Sequence, residues 1–301
     1  KRFSPRASAS EQETTAAKFL ESWLKAIGYE VYLQIFNTKV EKAKLSFSTN
    51  NKQIDKGIEG LRLDMSPFGE AVGILANVGQ ANKPDLRETD LSGKIALIQR
   101  GSISFEDKIT HVTKLGAVGA VIYNNQGNAF RGTLINPGTI PVISISYEDG
   151  NRLAERIANS ETKVTLSAKS IVSESINVVA EKEGSNPLAG TIILGAHYDT
   201  VPNVPGANDN GSGIAALMVI AQEIWHKPYP FTIRFILFGS EEIGLVGSEF
   251  YVDSLNKDEL RTLKAMINFD SLGTGNVSGI LGDADIVGTV LGLGRQEEIE
   301  V

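Results

Sequence analysis

The chain has 301 residues, 42% of them hydrophobic, enough to build two cores of ordinary domain size. Its 29 lysines and arginines against 36 aspartates and glutamates leave a formal charge of −7, which argues against nucleic acid or an anionic membrane surface as the main partner. It contains no cysteine, which excludes disulfides and thiolate metal sites, so any metal must be held by His, Asp and Glu. No apolar run approaches the ~18 residues that cross a bilayer, and Lys1-Arg2-Phe3 does not begin a signal peptide, which fits an N-terminus already processed.

Residues 1–54 open with a loop. Ser10 followed by Glu13 has capping-box spacing, in which each side chain closes a backbone donor at a helix start. Ala16, Leu20, Trp23, Leu24 and Ile27 then recur at helical spacing until Gly28 stops the run. Tyr29–Phe36 and Ala43–Phe47 alternate at period two and are expected to form a hairpin. One helix and one hairpin are too small a core to stand alone, so this stretch is expected to be completed elsewhere.

Residues 55–165 carry short strand signals separated by glycine and proline. Gly93–Gly101 reads as a buried strand, Ser104–Leu115 as a helix, Ala120–Asn125 and Ile140–Tyr147 as strands, and Asp149–Ile157 as a helix. Four phrases here, Gly-Lys-Ile-Ala-Leu-Ile-Gln-Arg-Gly, Ser-Phe-Glu-Asp-Lys, Gly-Ala-Val-Gly-Ala-Val-Ile-Tyr-Asn-Asn and Ile-Pro-Val-Ile-Ser-Ile-Ser, resemble the protease-associated (PA) domain in that family's order. Ile103 stands where that family often has cysteine. The resemblance implies a β-rich α+β domain offering a protein- or peptide-binding surface.

Residues 166–301 alternate strand and helix: strands at Ser175–Ala180, Thr191–Ala196, Phe231–Phe238, Leu263–Phe269 and Ile280–Gly282, helices at Ser212–His226, Leu245–Val252 and Asp285–Glu298. Such alternation builds an α/β layer around a mixed, largely parallel sheet flanked by helices. Ligands of such sheets gather beyond the carboxyl ends of the strands. His197 and Asp199 follow the second strand, Glu241 and Glu242 the third, and Asp270 the fourth, while Asp209 lies in a glycine- and asparagine-rich loop before a helix. Each has an ordinary structural reading: His-x-Asp as a satisfied pair, Asp209 as a cap or turn residue, the glutamates as a helix start, Asp270 as a strand end. Their joint occurrence on one rim, one imidazole among several carboxylates, points instead to zinc or a similar divalent ion. His111, in a helix, and His226, at a helix end where a cation suits the dipole, are read as structural.

The segments Gly-Ala-His-Tyr-Asp-Thr, Gly-Ala-Asn-Asp-Asn-Gly-Ser-Gly, Phe-Gly-Ser-Glu-Glu-Ile-Gly-Leu-Val-Gly-Ser and Ile-Asn-Phe-Asp resemble the M28 family of zinc aminopeptidases, in which an inserted PA domain is a known arrangement. The resemblance implies a split peptidase domain, residues 1–54 and 166–301, around a PA insert at 55–165. It further implies two zinc ions, with His197 and Asp270 on one, Asp209 bridging, and Glu242 on the other. Asp199 would orient His197, and Glu241 would be the general base. That family also uses a histidine well downstream of Asp270, and no histidine follows His226. The expectation is therefore a C-terminally incomplete domain with its second metal half built.

The expected function is an exopeptidase, secreted or lumenal, that releases N-terminal residues from peptides. The alternatives are a carboxypeptidase or dipeptidase of the same family, or an inactive fragment or pseudo-enzyme whose PA domain binds partners. Neither nucleic acid nor membrane is an expected partner, and no oligomeric state is implied.

Overall fold

In a computed structural model the described residues are 3–49, 52–53, 57–87, 89–186, 188–275 and 279–297. The chain divides into two compact units, Lys1–Thr38 with Ser173–Val301, and Lys39–Val172.

The first unit opens with α1 (Glu11–Ile27), capped by Ser10, whose hydroxyl accepts from Glu13 N at 3.2 Å. Gly28, at φ 122°, ends it, and its N–H closes onto Leu24 O and Lys25 O. The sheet has the order β11 (Leu263–Asn268), β9 (Thr191–His197), β10 (Thr232–Phe238), β8 (Lys163–Lys182), the last by its second half. β11, β9 and β10 run parallel, whereas β8 is antiparallel to β10. Alternation sends successive side chains to opposite faces. One face of the sheet, with Val178, Ala196 and Phe235, packs on Ala17, Leu20 and Leu24 of α1 and on Leu217 and Ala221 of α4 (Gly211–Ile224). The other, with Val179, Ile193, Ile236 and Phe238, packs on Tyr251 of α5 (Val246–Ser254). The result is a three-layer α/β arrangement, as the alternation of elements predicts. Two further helices, α6 (Lys257–Thr262) and α7 (Ala284–Gln296), lie before and after β11, and the first of them was not predicted.

The second unit is built on a parallel sheet, β4 (Gly69–Asn77), β5 (Ile95–Gln99), β6 (Gly119–Tyr123) and β7 (Val142–Ile145). Antiparallel strands flank it: the first half of β8 on β4, and β3 (Ile58–Arg62) on β7, with β1 (Glu30–Thr49) on β3. The short β2 (Lys52–Gln53) pairs with the end of β1. Ile95 and Leu97 enter the core that includes Leu153 of α3 (Tyr147–Asn159), while Ala96 and Ile98 enter the core of Ile109 and Val112 of α2 (Phe105–Lys114).

Two expectations are corrected. Tyr29–Phe36 and Ala43–Phe47 do not make a hairpin: from Glu30 on they belong to one 20-residue strand, β1 (Glu30–Thr49). No glycine or proline separates them, and Asn37, which could favour a turn, lies inside the strand. Phe36, Thr38 and Val40 are buried, and after them Ala43, Leu45 and Phe47 with Ser46 between the last two, so the alternation changes phase at Glu41-Lys42 without a reversal of the chain. Ile280–Gly282 is not a strand, and Leu281 is fully exposed. The units change over inside β1 and β8, at 38/39 and 172/173, whereas the sequence suggests 54/55, which lies outside the described residues, and 165/166. No helix among the described residues is long and apolar enough to cross a membrane.

Candidate metal centre

The first unit brings the six sequence-predicted side chains to one end of its sheet. His197, 2% exposed, is the last residue of β9. Asp199 is fully buried, and its Oδ1 lies 3.4 Å from His197 Nδ1. Three donors also converge on Asp199: Glu241 N at 3.1 Å, Glu242 N at 3.2 Å and Ser8 Oγ at 2.6 Å.

Asp209 lies on the loop from β9 to α4. Arg6 holds this loop by donating to Tyr198 O, to Pro205 O at 3.3 Å and to Gly206 O at 2.8 Å. Asn210, fully buried, caps α4 through Gly213 N at 3.0 Å and also reaches both neighbours of Asp270, accepting from Ser271 N at 3.3 Å and donating to Phe269 O at 2.8 Å. Asp270 follows β11, whose carboxyl end lies beside that of β9. Glu241 and Glu242 leave β10 after Ser240, which is buried at φ 52°, and Ser271 after Asp270 is at φ 54°. Both are left-handed conformations that cost a non-glycine residue on the order of 1 kcal/mol or more, and such outliers gather where surrounding contacts dictate the backbone.

His197 Nε2 faces Asp209 Oδ1 at 3.1 Å, Asp270 Oδ2 at 3.6 Å and Glu241 Oε2 at 3.7 Å. Among the described residues, two sets could hold a metal ion, His197 with Asp209 and Glu242, and His197 with Glu241 and Asp270, each with its ligand atoms within 4.8 Å of one another. Burial works against a charge on His197, yet Asp199, Glu241 and Asp270 together push its pKa up to about 9. Burial and the neighbouring carboxylates raise both Glu241 and Glu242, with His197 opposing. Carboxylates gathered round one imidazole nitrogen call for a cation, and an oxygen-rich set with one nitrogen and no sulfur suits a divalent ion such as zinc. The residues present therefore fit such a metal.

His111 and His226 are in neither set. His111 Nδ1 lies 2.8 Å from Ala81 O, and His226 is exposed just beyond α4. The sequence does not single out Ser8, Arg6 or Asn210 for the site, and it marks Glu13 as a helix cap only. Only Glu13 carried a signal: it stands three, four and seven residues before Ala16, Ala17 and Leu20, in line with the apolar stripe of α1.

Residues 177–285 match the family model of Peptidase family M28, and residues 67–153 match that of the PA domain. The chain is 35% identical over 277 residues to leucine aminopeptidase 2 of Trichophyton equinum, covering 87% of this chain and 53% of that protein. The structure of a zinc aminopeptidase from Bacillus subtilis is similar, with a TM-score of 0.65, 32% identity and coverage of 90% of this chain and 66% of that one. An aminopeptidase from Aneurinibacillus sp. strain AM-1 is 33% identical with a TM-score of 0.52, over 91% of this chain and 68% of that one. The chain spans about half the length of the curated relatives it matches. On the motifs at the strand ends, the fold and these likenesses, the chain belongs to peptidase family M28 and carries a PA domain.

Proposed function

We propose that this chain belongs to a zinc-dependent aminopeptidase, which hydrolyses the first peptide bond of its substrates. The observation that carries the reading is His197 Nε2 facing the carboxylates of Asp209, Asp270 and Glu241. The relatives' names, leucine aminopeptidase and zinc aminopeptidase, support both the substrate end and the metal. In this reading His197 and Asp270 would hold one ion, Glu242 would contribute to a second, and Asp209 would serve both. Zinc, when bound, supplies Lewis-acid polarisation and lowers the pKa of a water to about 7.

The chain's own residues do the rest. Asp199, beside His197 Nδ1, fixes the orientation of the ring. Glu241 acts as the general base: its carboxylate takes a proton from the attacking water as the new C–O bond forms, and gives it to the amine nitrogen as the C–N bond breaks. Burial raises the pKa of Glu241, which favours a group that must both accept and return a proton. We also read Lys1–Thr38 with Ser173–Val301 as the peptidase part and Lys39–Val172 as the PA part, since the two family matches fall within those spans.

The test uses an aminoacyl anilide with the chain in its full-length protein. Chelator should abolish hydrolysis and zinc restore it. Glu241→Ala should lower kcat by about a hundredfold or more with zinc still bound. Activity unchanged by that substitution would sink the reading.

A further inference from the structure

Three successive peptide N–H groups carry the turn that presents Glu241 and Glu242, and each donates to a carboxylate from elsewhere in the chain. Glu241 N and Glu242 N donate to Asp199, at 3.1 and 3.2 Å. Ser240 N donates to Glu13 Oε1 at 2.9 Å. The spacing of Ser10 and Glu13 predicts that Glu13 bends back to the N–H of Ser10. In the structure that N–H donates instead to Ala7 O at 3.0 Å. The Glu13 side chain, fully buried, turns inward and accepts from Ala9 N at 2.9 Å, from Ser175 Oγ at 2.9 and 3.0 Å, and from Ser240 N.

No cation is hydrogen-bonded or ion-paired to Glu13 among the described residues, so its burial is costly unless these donors repay it. A helix cap alone could have stayed in solvent. What the buried position adds is a hold on the Ser240 peptide, which stands at φ 52° immediately before Glu241. Ala9, which Glu13 also fixes, adjoins Ser8, whose hydroxyl donates to Asp199. The same carboxylate thus braces both the turn and the partner that grips the rest of the turn.

We propose that Glu13 is a positioning residue for the glutamate pair: with Asp199 it forms a two-carboxylate cradle for the N–H groups of residues 240–242, and so aims Glu241 and Glu242 into the metal cluster. The inference rests on the zinc reading for its consequence, but the cradle is observable without metal.

The experiment has two arms on the intact protein. In zinc-free protein, hydrogen–deuterium exchange is followed over residues 239–244 in the wild type, Glu13→Ala, Glu13→Gln and Ser175→Ala. Glu13→Ala should speed exchange in this segment by about ten- to a hundredfold, the cost of leaving the buried Ser240 N–H without an acceptor. Glu13→Gln keeps an acceptor for Ser240 N and should stay within about threefold of the wild type. In the second arm, zinc affinity is measured by competition with a chromophoric chelator, and Glu13→Ala should weaken it by about tenfold with Glu13→Gln close to the wild type. If Glu13→Ala does not fold, Ser175→Ala, which frees the carboxylate on one side, should show the same local pattern at smaller size. Exchange over 239–244 unchanged in a folded Glu13→Ala or Ser175→Ala protein, or accelerated equally throughout α1, β8 and β10, overturns the proposal. So does a zinc affinity untouched by Glu13→Ala. A wild type that binds no zinc overturns the metal reading instead, and leaves the exchange arm to decide the cradle.

Discussion

A carboxylate buried without a cation is expensive as an anion, and Glu13 shows the consequence in its proton affinity. Burial, with Asp199 adding repulsion, pushes its pKa from the usual carboxylate range up to about 8, while the hydrogen bonds from Ser175, Ser240 and Ala9 pull the other way. The native state therefore holds a proton that the unfolded chain releases near pH 4.5, and the linkage has a definite sign. Glu13's contribution to stability is fully present below about pH 4.5 and is lost as pH rises through about 8. The loss across that window is on the order of a few kcal/mol. Urea unfolding of metal-free protein at several pH values between 5 and 8 should show stability falling with pH in the wild type and a flatter dependence in Glu13→Gln. Equal slopes in the two proteins would mean that Glu13 does not hold this proton. His197, Asp199, Glu241, Glu242 and Asp270 stand out in the sequence because each closely follows an apolar run that reads as a strand, and Asp209 because its loop is rich in glycine and asparagine. Glu13 was not, because the same Ser-x-x-Glu spacing serves a solvent-facing cap and a buried brace.

Five of the seven helices among the described residues begin with a serine or asparagine cap, and α1 tests how far that local chemistry matters. Ser10 Oγ accepts from Glu13 N, as Ser104 and Ser146 accept from Asp107 N and Asp149 N at the starts of α2 and α3. Ser10→Ala should cost about 1 kcal/mol, the typical loss of a cap, read as a lower urea midpoint at constant slope. Exchange should rise in the first turn of α1 while residues 239–244 stay protected, because Glu13 keeps its own donors. Loss of protection in both places would tie the cap and the cradle together. The long strands were the least legible elements. Besides β3 and the adjoining β2, β1 pairs with β8, more than 100 residues later in sequence, and such a partner is not set by the local run of residues. Ile280–Gly282 has the mirror problem: an apolar tripeptide looks like a strand, but a strand exists only where a neighbour completes its hydrogen bonds. By contrast, β5, β6, β7 and β9 were readable because strands buried on both faces are continuous apolar runs.

At the scale of the molecule, the chain makes two units, and the second is completed within one continuous stretch, Lys39–Val172. That stretch contains its own parallel sheet, the strand segments that flank it, and both helices whose faces close its two cores. The first unit has the opposite construction: Ala17, Leu20 and Leu24 of α1 lie in the same core as Phe235 and Leu217, more than 190 residues later in sequence. A helix and a strand too small to close a core, as residues 1–54 are, signal this split in the sequence, whereas the places where the units change over are hidden because each falls inside a strand. The asymmetry predicts how the pieces behave apart. Expressed alone, residues 39–172 should fold and unfold in one cooperative urea transition with a slope of about 1–3 kcal/mol/M. That fragment should bind no zinc, since all six site residues lie outside it. Residues 173–301 alone should bind a hydrophobic dye and unfold without cooperativity, because the face of the sheet that α1 covers is left open, and adding a peptide of residues 1–38 should restore a transition. A non-cooperative 39–172 fragment would mean that its two cores need the rest of the chain, and a cooperative 173–301 fragment would mean that α1 is dispensable to the core it enters.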